Sequence, residues 1–455
     1  MKKIIYLCII ALFASCSDDY VDILPKGKTI PESTDDLAML LNYTNDINSL
    51  DVNSSVQADD VTIPEFMLPF SANATIKAYT WQDYLYTDAE QDADWVACYL
   101  SISRANFVLQ NLDTYTPGNE FDVDYTKGRA LFVRANYYFY LVNGYGKHYN
   151  AATAETDLAV PLLLEMDINA SQARSTVQEV YSQVIEDLET AIPLLKDSAP
   201  HRTWASKAAA YGLLGRVYLY QEKYVLAQEY SKKALDLYST LTDYNTFSYV
   251  SGTNSSKGVI GYESNALSNE ENLFVVESGN YRTELFYSEG LINTFDKAKD
   301  LRFWYFASDY DQTDAYLDGY FTATTGGQQP FSGINAPEVY LNYCEALMKQ
   351  SSPDRTEALS YLNMLRKNRY DSATYADFAS TDDNAVLAEI MLERRRELRF
   401  SSNRWFDMKR LGLTASRTVD GETFTITGSS NNYVWAIPLN VMALNELLVQ
   451  NERGL

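Results

Sequence analysis

Apolar positions recur at three- and four-residue steps through much of this chain, which predicts a largely helical protein. Trp95, Tyr99, Ile102, Asn106 and Leu109 share one helical face within 90–112. Leu131, Ala135, Tyr138 and Val142 lie on one stripe and predict a helix over 125–141. After an insert, 143–174, that opens with Gly-rich NGYGKHYN, a helix starts at Ser175 or Thr176 with the stripe Val177, Val180, Val184, Leu188, Ala191 and Leu195. Nearer the N-terminus, Ser33 or Thr34 caps a short helix carrying Leu37, Leu40 and Leu41. The segment 42–80 is polar and poorly periodic and reads mostly as loop. Towards the C-terminus, TVDGETFTIT (418–427) reads as a hairpin around Asp420-Gly421, 433–438 as a short strand, and the end as a short helix or irregular tail.

Residues 204–238 form an internal helix pair with a turn at 222–224. Leu214-Gly215, Tyr218, Ala227 and Ala234 fall at tetratricopeptide offsets, with small residues where paired helices touch; Ser231 stands where that repeat usually has Phe. Interrupted relatives of this pair are 125–195 and 337–369. Stacked pairs of this kind bury their faces against neighbours and build one curved scaffold. Residues 239–336 differ. They are rich in Ser, Asn, Gly and Tyr, with one strand-like piece, NLFVVE (272–277). A long non-periodic stretch with this aromatic load reads as an ordered functional region.

Charge and composition narrow the function classes. The chain has 455 residues and a formal net charge of −24, which repels phosphate backbones and argues against nucleic-acid binding. Its 36 Tyr, 19 Phe and 6 Trp suit packing beneath wet surfaces and suit ligand stacking; composition does not separate the two uses. The N-terminus carries an address. Lys2 and Lys3 precede an apolar run, 4–13, of signal-peptide length and too short to span a bilayer. It ends in Leu12-Phe13-Ala14-Ser15-Cys16, similar to a bacterial lipobox in which Cys16 is lipidated, and Ser17-Asp18-Asp19 follows as in lipoproteins exported to the outer leaflet. Cys98 and Cys344 lie far apart among apolar residues and read as buried free thiols.

Catalytic signatures are missing from the sequence. Neither His148 nor His201 sits in a metal-ligand spacing, and no nucleophile elbow, phosphate loop or zinc motif occurs. The 61 acidic residues supply accidental carboxylate pairs, none of which stands out. We expect no enzyme and no cofactor. Calcium is the one ion the sequence leaves open, at Asp309, Asp311, Asp314 and Asp318-Gly319, where a solvated acidic turn is the favoured reading. What remains is a binding surface. Sugars take aromatic platforms for their C–H faces and Asp, Asn or Arg for their hydroxyls. Two regions have that mixture: Asp59-Asp60 to Trp81, with candidates Asp60, Phe66, Phe70, Asn73 and Trp81; and 281–320, with candidates Tyr281, Arg282, Trp304, Tyr310 and Tyr316. Singly, each aromatic is more often packing than platform.

The densest charged and aromatic block is EIMLERRRELRFSSNRWFDMKRLG, 389–412. Three-residue spacing lets Glu393 reach Arg396 and Arg394 reach Glu397, and Trp405 and Phe406 are expected to dock a second short helix. With AYTWQD, SRANFVLQNL, GRALFVRANYYFYLVNGYG, APEVYLNYCEAL and the closing YVWAIP and LNELLVQN, this block resembles, in order, the SusD-like (RagB/SusD) nutrient-uptake lipoproteins of Bacteroidetes. Ser401-Ser402 and Leu444-Asn445-Glu446 depart from the family pattern. The resemblance implies a mostly α fold, a tetratricopeptide-like scaffold supporting a loop-rich, partly β subdomain. It divides the chain into a signal peptide (1–15), an N-terminal part with helix pairs (16–238), a variable region (239–336) and a C-terminal part (337–455). It further implies a surface lipoprotein of the outer membrane, anchored through Cys16, that captures glycans for a TonB-dependent SusC-like transporter. Capture of peptides or another nutrient by the same fold is the alternative. Binding residues vary among such proteins, so the candidates above rest on region and residue type.

Overall fold

The computed structural model describes residues 31–42, 50, 54–118, 122–167, 171–252, 254–276, 285–311, 313, 315–323 and 333–454. The expected signal peptide and Cys16 lie outside them. Helices dominate. The first long one, α1 (Ala93–Asn111), is capped by Asp92, whose carboxylate accepts from the amides of Asp94 and Trp95. It packs on α2 (Val123–Tyr145), which runs four residues past the expected 141 and is buried on nearly every side. The end of α2 carries part of the Gly-rich insert. A Cβ on Gly144 would come within 2.4 Å of the Trp435 ring, so only glycine lets that indole close over the helix.

The expected stripe forms α3 (Val177–Ala191), started by a capping box in which Thr176 and Glu179 satisfy each other's backbone. The helix pair at 204–238 is α4 (Lys207–Tyr220) and α5 (Tyr224–Leu237), joined at Gln221–Lys223. The departure at Ser231 now has a reason. A Cβ on Gly215 would lie 2.5 Å from the Ser231 hydroxyl, and Ser231 is fully buried, so a Phe there would have no room. A second pair, α6 (Ala336–Met348) and α7 (Arg355–Lys367), continues the stack, with α6 against α5. Then come α8 (Asp383–Glu397) and α9 (Ser402–Arg410), linked through Phe400, which adopts φ +56. One large apolar core runs from Leu37 to Leu448 through all these helices. Cys98 and Cys344 are buried free thiols within it.

The signature block is scaffold. Glu393 meets Arg396 at 2.6 Å, as spaced. Arg394 does not reach Glu397. Its Nε bonds Asp407 at 2.6 Å, tying α8 to α9, while Glu397 is taken by Arg302 and Arg369 from other segments. Trp405 is completely buried and stacks on Tyr433, ring centres 4.9 Å apart.

The smaller sheets hold together what the helices leave open. The 239–336 stretch contributes three strands of a four-stranded antiparallel sheet; the fourth, β1 (Val61–Thr62), comes from the N-terminal part. It pairs with β2 (Phe286–Tyr287), Val61 opposite Tyr287. The remaining two are β3 (Ala307–Ser308) and β4 (Thr322–Ala323), and the spatial order is β1-β2-β4-β3. The strand-like piece at 272–277 is a strand over Asn272–Phe274, paired with Ile334–Asn335. The expected hairpin is β5 (Ala415–Val419) and β6 (Glu422–Ile426), with Asp420 at φ +50 and Gly421 at φ +80 giving the turn hand that suits strand twist.

Two further expectations fail. Among the described residues of 42–80 loop is not the majority: Ser54–Gln57, Glu65–Phe70 and Asn73–Tyr79 are helical. Each is one or two turns long, too short for periodicity to show, and all four residues of Ser54–Gln57 are buried although three are polar. The segment 433–438 is not a strand. It follows a turn at Asn431–Tyr433 and is held by Trp435, whose backbone amide donates to Gly144 rather than to a neighbouring strand.

Candidate functional site

The pairing of β1 with β2 brings the two candidate regions into one sheet. Phe66, on the helical turn just after β1, packs edge-on against Phe286 of β2 at 5.9 Å and against Tyr320 at 5.7 Å, and these two rings meet at 6.0 Å. Phe286 is buried beneath, while Phe66 keeps 48% of its surface exposed and Tyr320 37%. Phe70 at the end of the same turn is 81% exposed, and Asn73 is also exposed. Tyr310 and Tyr316 face each other at 5.5 Å across the loop between β3 and β4, with Tyr316 exposed.

Two candidates, Trp81 and Asp60, belong to the interior, contrary to expectation. Trp81 is fully buried at φ +53. Its indole N–H donates to the Gln57 carbonyl at 2.9 Å, and the Arg417 guanidinium lies 4.5 Å from its ring, so neither ring face is open to a ligand. Asp60 has no exposed surface. Its carboxylate accepts from Arg395 Nε at 2.8 Å, because a buried carboxylate is retained only when paired. Burial pushes the Asp60 carboxyl up, against the pull of Arg404 and Arg395. Trp304 is half-buried between two apolar clusters and bonds the Lys297 carbonyl at 2.7 Å. Tyr281 and Arg282 lie outside the described residues.

Beside Tyr320 opens a cleft of about 630 Å³. One wall is β1 and the turn after it, with Thr62, Pro64 and Glu65; another is Ser288-Glu289-Gly290; the third is the strand β5 with Ser416, Arg417 and Thr418. Beneath it lies an arginine–aspartate ladder. Arg395 spans Asp60 and Asp59, the latter at 3.3 Å, and Arg404 grips Asp59 through two bonds of 2.7 and 2.8 Å. Arg417 donates to the Val56 carbonyl at 2.9 Å and the Tyr79 carbonyl at 2.5 Å. Burial lowers its pKa to about 10. The arrangement is fit to hold a ligand that presents apolar faces and hydroxyls.

Sequence reasoning missed Glu65, Glu289 and the hydroxyl stripe of β5. The stripe carried a signal. Ser416 and Thr418 are two apart on an alternating strand, so they share one exposed face, where Ser416 meets Thr425 at 2.9 Å and Thr418 meets Thr423 at 3.1 Å. At the acidic turn, Asp311 accepts from the Thr313 hydroxyl and from the amides of Thr313 and Ala315, closing its own loop; Asp314 is outside the described residues. Among the described residues no three His, Cys, Asp or Glu side chains cluster as a metal site would require. His148 is held neutral: burial, then Lys409, Arg410 and Lys349, push its pKa down to about 3.

Residues 19–219 match the SusD-like family described as "Starch-binding associating with outer membrane", and residues 313–453 match the SusD family. The chain belongs to the SusD-like family. SusD-like protein P2 of Formosa agariphila is 25% identical to it over 431 residues, covering 80% of each chain. The crystal structure of a SusD superfamily protein from Bacteroides thetaiotaomicron superposes with a TM-score of 0.72 at 20% identity, over 92% of this chain and all of that one. A structure described as a SusD-like carbohydrate binding protein, from Bacteroides vulgatus, gives 0.66 at 18% identity, over 93% and 99%. The mostly helical fold with small sheets is thus the SusD-like fold. Between the two matched segments lie β2 and β3, so the aromatic cluster and the cleft are built partly from the stretch that neither match reaches. No described helix of this SusD-like protein is long and apolar enough to cross a membrane.

Proposed function

We propose that this SusD-like protein is a surface-exposed, non-catalytic lipoprotein that captures oligosaccharide or polysaccharide and passes it to a SusC-like TonB-dependent transporter of the outer membrane. The observation that carries the reading is the exposed Phe66–Tyr320 pair at the rim of an open cleft lined by hydroxyls and carboxylates. Aromatic edges and faces take up the C–H surfaces of pyranose rings, and polar rim groups take the hydroxyls. The family description, which names starch binding and the outer membrane, supports the same reading, as does the carbohydrate-binding relative from Bacteroides vulgatus. Cys16, lipidated, anchors the chain; several acyl chains on one residue hold firmly where a single chain holds marginally.

Isothermal calorimetry with a panel of soluble polysaccharides tests the capture step, and heat of binding with at least one is expected. Silence across the panel together with binding of a peptide would overturn it. Incubating the purified protein with the bound polymer tests the second half of the claim, since the appearance of shorter products would show a hydrolase. Co-purification of a β-barrel transporter with the tagged protein from detergent-solubilised outer membranes tests the third.

A further inference from the structure

The chemical class of the captured glycan follows from where the cleft's charges are spent; this inference rests on the capture reading above. Two arginines border the cleft, and both are committed inward. Arg395 places Nε on Asp60 at 2.8 Å and Nη2 on Asp59 at 3.3 Å, so the Nε–Nη2 edge of its guanidinium is occupied. Arg417 spends its donors on backbone carbonyls, including those of Val56 and Tyr79, and lies flat between aromatic rings, 4.1 Å from Tyr79 and 4.5 Å from Trp81. Asp59, the acid shared at this end, is held by Arg404 as well. Within the ladder Asp59 and Asp60 offset Arg395 and Arg404, and Arg417 is held by neutral carbonyls.

What the described rim turns to solvent has the opposite sign. Glu65 and Glu289 are exposed, and no described cation pairs with either. The hydroxyls of Ser416 and Thr418 complete the polar wall. A sulfated or uronate-rich chain entering here would meet the Glu65 and Glu289 carboxylates beside guanidiniums already engaged by Asp59, Asp60 and backbone carbonyls, on a chain whose net charge is already −24. A neutral glycan meets the reverse situation. Its hydroxyls are donors, and a carboxylate is an acceptor that bonds them more strongly than a neutral group does.

We propose that the cleft selects neutral glycans over anionic ones, with Glu65 and Glu289 accepting from sugar hydroxyls and acting as the specificity-determining pair.

Calorimetry on the intact mature protein decides it, with laminarin, galactomannan and soluble starch as neutral probes and polygalacturonate and chondroitin sulfate as anionic ones, each at low and high salt. Binding of a neutral polymer that persists at high salt, with no heat from either polyanion, is the expected result. Binding of polygalacturonate or chondroitin sulfate that weakens with salt would overturn the selectivity and leave glycan capture standing. Silence with all five, together with binding of a peptide, would overturn the capture reading itself. The doubly substituted E65Q/E289Q protein, altered only at exposed positions, is expected to bind the neutral polymer at least about tenfold more weakly at unchanged melting temperature, as loss of charge-assisted bonds implies. E65K/E289K is expected to lose the neutral polymer likewise and to acquire salt-sensitive binding of polygalacturonate. Neutral-polymer affinity unchanged in both variants would remove these two residues from the site.

Discussion

The guanidinium of Arg302 meets the carboxylate of Glu397 at 2.9 Å, although the two are 95 positions apart in the chain, and neither side chain is open to water. Arg302 belongs to the short helix Leu301–Phe306 of the 239–336 stretch, and Glu397 to the last turn of α8. The same arginine also holds Asp300 at 2.7 Å and Glu393 at 2.5 Å. One buried cation thus joins the loop-rich region to the scaffold. Arg302→Ala should therefore cost about 3–5 kcal/mol, because it strands the buried Asp300 carboxylate and takes one cation each from Glu393 and Glu397. Urea denaturation measures this, and a midpoint like that of the parent protein would contradict it.

Acid should act through the same network. Burial alone would raise the Glu393 carboxyl; Arg302, Arg396 and Arg366 outweigh burial and hold it at about 2, against an ordinary 4.5. A carboxyl depressed in the folded state stabilises above its unfolded pKa and loses that contribution as pH falls through the folded value. The stabilisation from Glu393 is complete above about pH 4.5 and disappears towards pH 2, a difference on the order of 3 kcal/mol. Glu393→Gln should flatten this part of the stability–pH curve relative to the parent. Parallel curves for the two proteins would refute the assignment.

Two tryptophans and two exposed rings should separate scaffold from site. Trp405→Ala and Trp81→Ala, both fully buried, should each lower stability by about 3–5 kcal/mol and leave glycan affinity intact in the folded fraction. Lost binding in a fully stable Trp405→Ala protein would show the 389–412 block to be a site after all.

Phe66→Ala and Tyr320→Ala should do the converse, weakening glycan binding about tenfold or more while the melting temperature stays within a degree or so of the parent. Equal affinity in both variants would move the platform elsewhere on the surface.

Cys16→Ala should release the protein from membranes into the soluble fraction, since lipidation at that thiol is the proposed anchor. Continued sedimentation with outer membranes would refute it.

Helices α1 to α9 and the hairpin were legible because each obeys a rule that acts within a few residues: an apolar stripe, an oxygen-bearing cap, a turn that needs positive φ. Four of the family blocks were legible for the same reason, since they lie on α1, α2, α6 and the α8–α9 pair. Ser231 shows where that legibility stops. Its departure from the repeat is readable in sequence, and its cause, packing against Gly215 so close that even an added Cβ would come within 2.5 Å of the Ser231 hydroxyl, is not.

The division falls most clearly between Phe66 and Trp81. Both are aromatic, both lie in a polar and weakly periodic stretch, and the sequence marks both as platforms. Trp81 is enclosed because Gln57, Asn432 and Arg417 converge on it from three other segments; Phe66 stays open because β2 arrives beneath it and covers only one side. Burial of a single ring is decided by which distant segments arrive, and no local period encodes that. The charges divide in the same way. The sequence by itself determined the helical scaffold, the family and an acidic chain rich in tyrosine. Only the tertiary structure decided that Arg395, Arg404 and Arg417 turn inward while Glu65 and Glu289 face the cleft, because an ion pair between segments more than three hundred residues apart exists only once the fold has closed.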